Sequence, residues 1–216
     1  MTLTKELKDL KKQAAIDAPA EVTEAFQNAI QDWIATGIDK GALKIGDRIP
    51  SFQLSDATGK TGSSDELLKQ GPIVISFYRG GWCPWCSLEL RALQKHLHEF
   101  KKHHGTLVAI SPELPDSSLA TIEKNELTFP VLSDRDLQVA RQFGLVFQLP
   151  ETIEDMTKNV FGLDLTKING TEKYELPIPA TYVVDTDHII RYAFVDADFM
   201  KRAEPEKIVE VLKKLN

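Results

Sequence analysis

Hydrophobic residues recur every three or four positions in the first part of the chain. This spacing predicts two amphipathic helices within residues 1–36, and Pro19 predicts the break between them. The glycine-punctuated stretch 37–49 predicts a linker into the main domain. We therefore expect an N-terminal helical extension over residues 1–40 and a domain over residues 41–216. The two apolar sets are Leu3, Leu7, Leu10 and Ala14, and then Val22, Phe26, Ile30 and Trp33.

From residue 73 the pattern changes to short apolar runs that alternate with helical segments. Such alternation is typical of an α/β domain with a largely parallel sheet. A turn at 185–188 predicts that the last two strands form a hairpin, and with a final helix this describes a thioredoxin-like sheet. The predicted strands are 73–78, 106–111, 129–132, 180–184 and 189–195. The predicted helices are 84–103, 115–127, 136–143 and 205–215.

The segment 146–178 is too long for a simple connection between two elements. Residues 150–164 within it have helical character. Ligands bind beside the carboxyl ends of the strands in open α/β sheets, and the position of the segment in the predicted fold places it near those ends. Two interpretations stay open: a roof over the active site, or a neutral surface insertion.

Composition argues against several classes of protein. The 216 residues carry a formal net charge of −6 and are 42% hydrophobic. A negative chain without a basic stripe is a poor partner for nucleic acid. No stretch approaches the ~18 consecutive apolar residues of a membrane span, and no secretory signal precedes the first helix. We expect a cytoplasmic protein without a membrane partner.

Both cysteines lie in one tetrapeptide, Cys83-Pro84-Trp85-Cys86. A disulfide that closes so small a loop constrains the unfolded chain very little, so redox chemistry explains the pair better than stabilisation does. The tetrapeptide follows a predicted strand and opens a predicted helix, where Pro84 suits the first turn. The positive end of a helix dipole lowers the pKa of a cysteine, and a thiolate is the reactive form.

Two other interpretations of the cysteines compete with redox chemistry. Both side chains could simply fill the core, since free cysteine is often buried. The second interpretation is a zinc site, because a spacing close to that of a zinc finger separates Cys83, Cys86, His98 and His103. On one continuous helix, however, Cys86 and His98 would lie roughly 18 Å apart, too far for a shared metal ion. The histidines are better explained as solvated positions near the end of that helix.

Several motifs between residues 43 and 215 resemble those of the peroxiredoxin superfamily, in particular its alkyl hydroperoxide reductase and thiol-specific antioxidant (AhpC/TSA) group. The resemblance implies a thioredoxin-like fold and a thiol peroxidase without metal or organic cofactor. The motifs are Lys44-Ile45-Gly46-Asp47-Arg48-Ile49-Pro50-Ser51-Phe52, the run from Phe77 to Cys86 with Glu89, Leu132-Ser133-Asp134 with Phe143-Gly144, and Pro179-Ala180-Thr181-Tyr182-Val183-Val184-Asp185.

The family motif P-x-x-x-T-x-x-C assigns roles by resemblance. Its last residue, the cysteine that attacks peroxide, falls on Cys86, its threonine on Cys83 and its proline on Arg79. The family's transition-state arginine would fall at Pro179, which instead resembles the cis-proline of thioredoxins. We therefore expect a cis bond at Pro179 that faces the thiols.

The residues around the pair receive supporting roles. Arg79 is either a loop cation or a substitute for the missing arginine, and both interpretations stay open. Trp82 and Trp85 shield the disulfide or offer a docking surface. Glu89 matches a family C-x-x-E pattern, but we expect it on a solvated helix face.

The leading functional hypothesis is a thiol peroxidase. Cys86 would reduce hydrogen peroxide or an organic hydroperoxide, Cys83 would resolve the sulfenic acid as a disulfide, and thioredoxin or a similar dithiol would reopen it. One alternative is a disulfide reductase in which Cys83 attacks and Cys86 resolves. Another is a non-enzymatic redox sensor. The N-terminal helices have enough apolar surface to pack on the core or on a second subunit, so a homodimer also stays open.

Overall fold

The computed structural model describes residues 2–215. The strands are β1 (Gln53–Asp56), β2 (Thr61–Ser63), β3 (Ile73–Phe77), β4 (Thr106–Ser111), β5 (Val131–Ser133), β6 (Val146–Gln148), β7 (Glu175–Pro177), β8 (Ala180–Val184) and β9 (Ile190–Val195). The helices are α1 (Leu3–Asp17), α2 (Ala20–Thr36), α3 (Ser64–Leu68), α4 (Pro84–Lys102), α5 (Pro115–Asn125), α6 (Gln138–Gln142), α7 (Glu151–Asn159), α8 (Leu165–Asn169) and α9 (Pro205–Lys214).

A seven-stranded sheet in the order β2-β1-β5-β4-β3-β8-β9 forms the centre of the fold. All five residues of β3 are buried because both faces of this central strand are covered. Alternate side chains enter different cores, as the two-residue period of a strand requires. Ile73, Ile75 and Phe77 join one core. Val74 joins the other, which contains the buried stripe of α4.

The sheet is mixed, so the expectation of a largely parallel sheet is wrong. Among the described strands, β3 pairs in parallel with β4, and β4 with β5. The other neighbouring pairs in this sheet are antiparallel. The β8–β9 hairpin at one end of the sheet and the strands β1 and β2 at the other end account for the difference. The apolar runs identified the buried strands, but a single run does not reveal the direction of its partner.

The N-terminal helices pack on the same chain. Pro19 separates α1 from α2 as predicted, and Gly37, whose φ of 66° suits a glycine, caps the C-terminal end of α2. Helix α1 packs on α4, and α2 packs on α7. The carboxylate of Glu204 accepts hydrogen bonds from the first-turn N–H groups of Leu3 and Thr4, at 3.1 and 2.6 Å. This carboxylate connects α1 to the loop before α9.

The long segment 146–178 has structure of its own. Strands β6 and β7 form a separate antiparallel pair, and α7 and α8 lie between them. The ring of Phe161, just after α7, contacts that of Phe26 on α2, and Phe26 contacts Phe199 in the loop after β9. None of the described helices is long and apolar enough to cross a membrane.

Candidate active site

The two cysteines lie where β3 leads into α4. Cys83 is the N-cap residue of α4, Pro84 begins the helix, and Cys86 lies in its first turn. Both are free thiols with at most 1% of their surface exposed. The N–H of Cys83 donates to the carbonyl of Gly80 at 3.1 Å. Gly80 has a φ of 153°, and a side chain there would collide with the indole of Trp82.

Gly81 fixes the loop before the cysteines from both sides. Its N–H donates to Oε1 of Glu113 at 3.0 Å, and its carbonyl accepts from the hydroxyl of Ser87 at 3.1 Å. A Cβ at this position would lie 1.9 Å from Oγ1 of Thr121 on α5. The loop thus needs a glycine because its backbone presses directly against α5.

Glu113, which follows β4, is a buried carboxyl that the sequence analysis did not identify. Its Oε2 accepts from the hydroxyls of Tyr78 and Thr121, both at 3.3 Å. Burial raises the pKa of Glu113 to about 7, although the three donated hydrogen bonds oppose that rise. A group that titrates near neutrality therefore supports the loop before the thiols.

Arg202, in the loop before α9, is the cation in contact with Cys86. Its Nη2 donates to Sγ of Cys86 at 3.2 Å, and its Nε donates to Glu89 at 2.6 Å. Its Nη1 donates to the carbonyls of Phe199 and Lys201. The guanidinium is thereby fixed in one orientation, with a charge-assisted contact to the sulfur.

Glu89 is buried, so the expectation of a solvated helix face is wrong. Only 1% of its surface is exposed, and it accepts hydrogen bonds from Arg202 and from Thr181 on β8. Burial raises the pKa of Glu89 to about 7, while the charge of Arg202 acts in the opposite direction. Glu89 lies three residues after Cys86, on the face of α4 that packs against the sheet.

The pKa values of the two thiols are shifted in opposite directions. Burial opposes ionisation of Cys83, but its hydrogen bond with Cys86 and the charges of Arg79 and Arg202 lower its pKa to about 6. Burial and the neighbouring Cys83 raise the pKa of Cys86 well above its ordinary value. The opposite directions of these shifts favour the thiolate on Cys83 over the thiolate on Cys86.

Arg79 lies under an aromatic cover formed by Trp82, Trp85 and Phe199. Its guanidinium carbon is 5.0 Å from the ring centroid of Trp82 and 4.2 Å from that of Phe199. Trp85 packs edge-on against Phe199, with 5.6 Å between centroids. The indole N–H groups of both tryptophans are buried and have no hydrogen-bond partner among residues 2–215. The predicted residues Arg79, Trp82 and Trp85 thus lie together beside the thiols.

A family model, described as the AhpC/TSA family, matches residues 45–193. The chain belongs to the AhpC/TSA family. Peroxiredoxin Bcp of Escherichia coli strain K12 is 33% identical over 103 residues, which cover 48% of this chain and 65% of that protein. Chloroplastic peroxiredoxin Q of Triticum aestivum is 28% identical over 180 residues, or 83% and 70% of the two chains. These relatives place the chain among the peroxiredoxins, which are thiol peroxidases.

Solved structures confirm the fold that the AhpC/TSA motifs imply. Peroxidoxin BcpB of Mycobacterium tuberculosis superposes with a TM-score of 0.63 at 24% identity, over 81% of this chain and 99% of that one. A cysteine-to-serine mutant of Xylella fastidiosa PrxQ superposes with a TM-score of 0.61 at 17% identity, over 80% of this chain and 96% of that one. The predicted thioredoxin-like α/β architecture with N-terminal helices is therefore confirmed.

The prediction for Pro179 is wrong, because the described residues contain no cis peptide bond. Pro179 immediately precedes β8, whose first residue, Ala180, pairs with Phe77 at the end of β3. A trans bond at this position lets the chain enter the strand directly. The cis-proline that the resemblance to thioredoxins suggested at Pro179 is not found among the described residues, and Arg202 provides the cation next to Cys86.

The zinc alternative fails on geometry. Helix α4 is continuous from Pro84 to Lys102, so Cys86 and His98 lie roughly 18 Å apart along it. His98 is exposed on the far part of the helix and contacts Glu99. Over residues 2–215, no group of three or more histidine, cysteine, aspartate or glutamate side chains is arranged to hold a metal ion.

Proposed function

We propose that this AhpC/TSA protein reduces hydrogen peroxide or an organic hydroperoxide with Cys86 and resolves the product with Cys83. The observation that carries the proposal is the contact between Arg202 and Cys86. A fixed guanidinium at the sulfur stabilises both the attacking thiolate and the charge that develops on the peroxide oxygens. The sequence motif independently aligns Cys86 with the attacking cysteine of the family.

The proton arrangement of the pair is compatible with attack by Cys86. The resting charge lies mainly on Cys83, but the two sulfurs share a hydrogen bond and titrate as one unit. Transfer of the proton from Cys86 to Cys83 along this bond places the thiolate against Arg202. The reactive form is then a minor state of the pair, which lowers the rate in proportion to its population.

The proposed reaction has two steps. The Cys86 thiolate attacks one peroxide oxygen, the O–O bond breaks, and the leaving alkoxide takes up a proton, which gives Cys86 sulfenic acid and an alcohol or water. The thiolate of Cys83 then attacks the sulfenic sulfur, and the hydroxide that leaves is protonated to water. The cysteine pair has lost two electrons and forms a disulfide. An external dithiol of the thioredoxin type returns them by exchange.

One observation favours a second candidate, a protein disulfide reductase. The lowered pKa of Cys83 makes it the resting thiolate, and Cys83 rather than Cys86 would attack a disulfide substrate. Arg79 supports this ionisation from the loop before the pair. In this reaction Cys86 resolves the mixed disulfide.

Stopped-flow fluorescence separates the two candidates. Trp82 and Trp85 flank the cysteines, so disulfide formation changes their emission. The reduced protein is mixed with hydrogen peroxide, with cumene hydroperoxide and, separately, with an oxidised protein substrate. We expect a peroxide to give the largest second-order rate constant. If neither peroxide oxidises the protein faster than it oxidises a free thiol at the same thiolate fraction, the disulfide reductase becomes the better assignment.

A further inference from the structure

Arg79 is a buried cation without a carboxylate partner in the described part of the chain. Only 3% of its surface is exposed, and two aromatic rings enclose its guanidinium group. Within residues 2–215, no aspartate or glutamate oxygen lies within ion-pair distance of it, and its Nε is buried without a hydrogen bond. Arg202, the other buried arginine, forms an ion pair with Glu89. A buried charge needs a partner, so the partner of Arg79 must be another group.

The thiol pair is that partner. Burial lowers the pKa of Arg79, and the negative charge of Cys83, followed by that of Cys86, opposes this by favouring the charged guanidinium. In return, the charge of Arg79 favours the thiolate of Cys83. The reduced site therefore pairs one thiolate with Arg79, and its cation–π contacts with Trp82 and Phe199 contribute further stabilisation.

Disulfide formation removes this anion. When the thiolate of Cys83 and the thiol of Cys86 become a disulfide, the pair loses two electrons and one proton. Arg79 stays charged, because an arginine does not deprotonate in proteins. The oxidised site thus holds a buried cation with no counter-ion, and this arrangement attracts an external anion.

We propose that Arg79 binds the incoming thiolate of the reductant in the oxidised protein and directs it to the Cys83–Cys86 disulfide. The inference rests on the proposed function only for the presence of that disulfide. The external thiolate attacks Sγ of Cys83, the S–S bond breaks, and the electron pair leaves on Cys86 beside Arg202, where the Cys86 thiolate takes up one proton from solvent. A second thiolate from the reductant then attacks the mixed disulfide and releases Cys83 as the thiolate that again pairs with Arg79.

The site favours anionic thiols in particular. The sulfurs are buried, and Trp82 and Trp85 pack against the core that contains them, so a reductant must displace part of this aromatic cover. In such a low-dielectric site a second negative charge on the thiol strengthens attraction to Arg79, and a positive charge weakens it. Reduction rates should therefore depend on the charge of the thiol.

The test uses small thiols of different charge. The purified protein is oxidised with diamide, which needs no peroxidase activity, and mass spectrometry verifies the loss of two hydrogen atoms. Tryptophan fluorescence then follows reduction by 2-mercaptoethanesulfonate and by cysteamine, at equal concentrations of thiolate. We expect the anionic thiol to react about tenfold faster in the wild-type protein. Arg79→Met should bring the ratio of the two rates to within about twofold of unity.

Two variants serve as controls. Arg79→Lys keeps the charge and should keep a preference for the anionic thiol, which separates charge from packing. Arg91→Met removes an exposed arginine of α4 that lines a groove of about 410 Å³ between α1 and α4, and should leave the ratio unchanged. An equal ratio in wild type and Arg79→Met, or failure of diamide to form the disulfide, would overturn the inference. A protein that diamide oxidises but peroxides do not would instead contradict the proposed function.

Discussion

The carboxylate of Glu113 accepts a hydrogen bond from the backbone N–H of Gly81, with 3.0 Å between Oε1 and N. This contact joins the loop that follows β4 to the loop that leads into the cysteines. The hydroxyls of Tyr78 and Thr121 share the same carboxylate. One buried side chain therefore connects β3, α5 and the approach to α4.

Replacement of Glu113 by glutamine should change the pH dependence of stability. The folded pKa of about 7 lies above the ordinary value of 4.5. Between these values the folded chain retains a proton that the unfolded chain has released, so the free energy of unfolding falls as the pH rises through this window. Glu113→Gln should remove this loss and stabilise the protein by roughly 1–3 kcal/mol at pH 8, with little change near pH 4.5.

Urea unfolding at the two pH values measures the effect. Glu123→Gln, at an exposed position of the neighbouring helix α5, is the matched control and should change neither value. If Glu113→Gln changes the free energy of unfolding by the same amount at both pH values, the Glu113 carboxyl does not titrate between them.

Arg202 and Glu89 should behave as one unit in stability but not in catalysis. Arg202→Met leaves a buried carboxylate without its cation, which should cost about 3–5 kcal/mol of unfolding free energy. The double variant Arg202→Met/Glu89→Gln should recover most of that loss. The rate constant with peroxide should fall roughly 10²- to 10³-fold in both variants, because the fixed donor to Cys86 is missing.

Stopped-flow fluorescence and urea unfolding of the two variants separate these effects. Recovery of the peroxide rate in the double variant would mean that Arg202 acts only by neutralising Glu89. Glu89→Gln alone completes the double-mutant cycle and gives the coupling energy between the two side chains.

The two cysteines should differ when each is replaced by serine. Cys86→Ser should abolish peroxide consumption, whereas Cys83→Ser should react once and accumulate a sulfenic acid on Cys86, since no resolving thiol remains. Dimedone trapping and peptide mass spectrometry locate the product. A sulfenic acid on Cys83 in the Cys86→Ser protein would reverse the roles that the sequence motif assigns.

The thiolate of the reduced pair should appear at an unusually low pH. Ultraviolet absorbance of the thiolate should titrate with a first apparent pKa of about 6, assigned to the pair with the charge mainly on Cys83. Arg79→Met should raise that first pKa, because it removes a nearby positive charge. The Arg91→Met protein should titrate like wild type. A first step close to the ordinary value of about 9 in wild type would contradict the charge distribution described here.

The sequence predicted the parts of the fold that have strong local patterns. The apolar stripe of α4 and the buried strands β3, β4 and β8 were located to within a residue or two, because hydrophobic residues dominate each strand and recur every three or four positions along the helix. The short strands β1 and β2, at one end of the sheet, contain mostly polar residues and were missed. Their pairing depends on neighbours in the sheet rather than on their own composition.

The chemistry of the site was only partly predictable. The cysteine motif is local, but Arg202 lies 116 residues from Cys86 and nothing in its own loop marks it. The match of Glu89 to a family pattern was a usable signal, because a carboxyl on the buried face of a helix needs a cation. Choosing that cation from the arginines of the chain requires the tertiary structure.

The contact between Glu204 and the first turn of α1 has a practical consequence for anyone who shortens this protein. Glu204 lies two residues after Arg202, and its carboxylate is engaged by the N–H groups of Leu3 and Thr4. Deletion of residues 2–17 would leave that acid near the loop of Arg202 with no amide donors. In a protein that lacks residues 2–17, we therefore expect the guanidinium of Arg202 to be held less firmly. The peroxide kinetics of that shortened protein should not be used as those of the full chain.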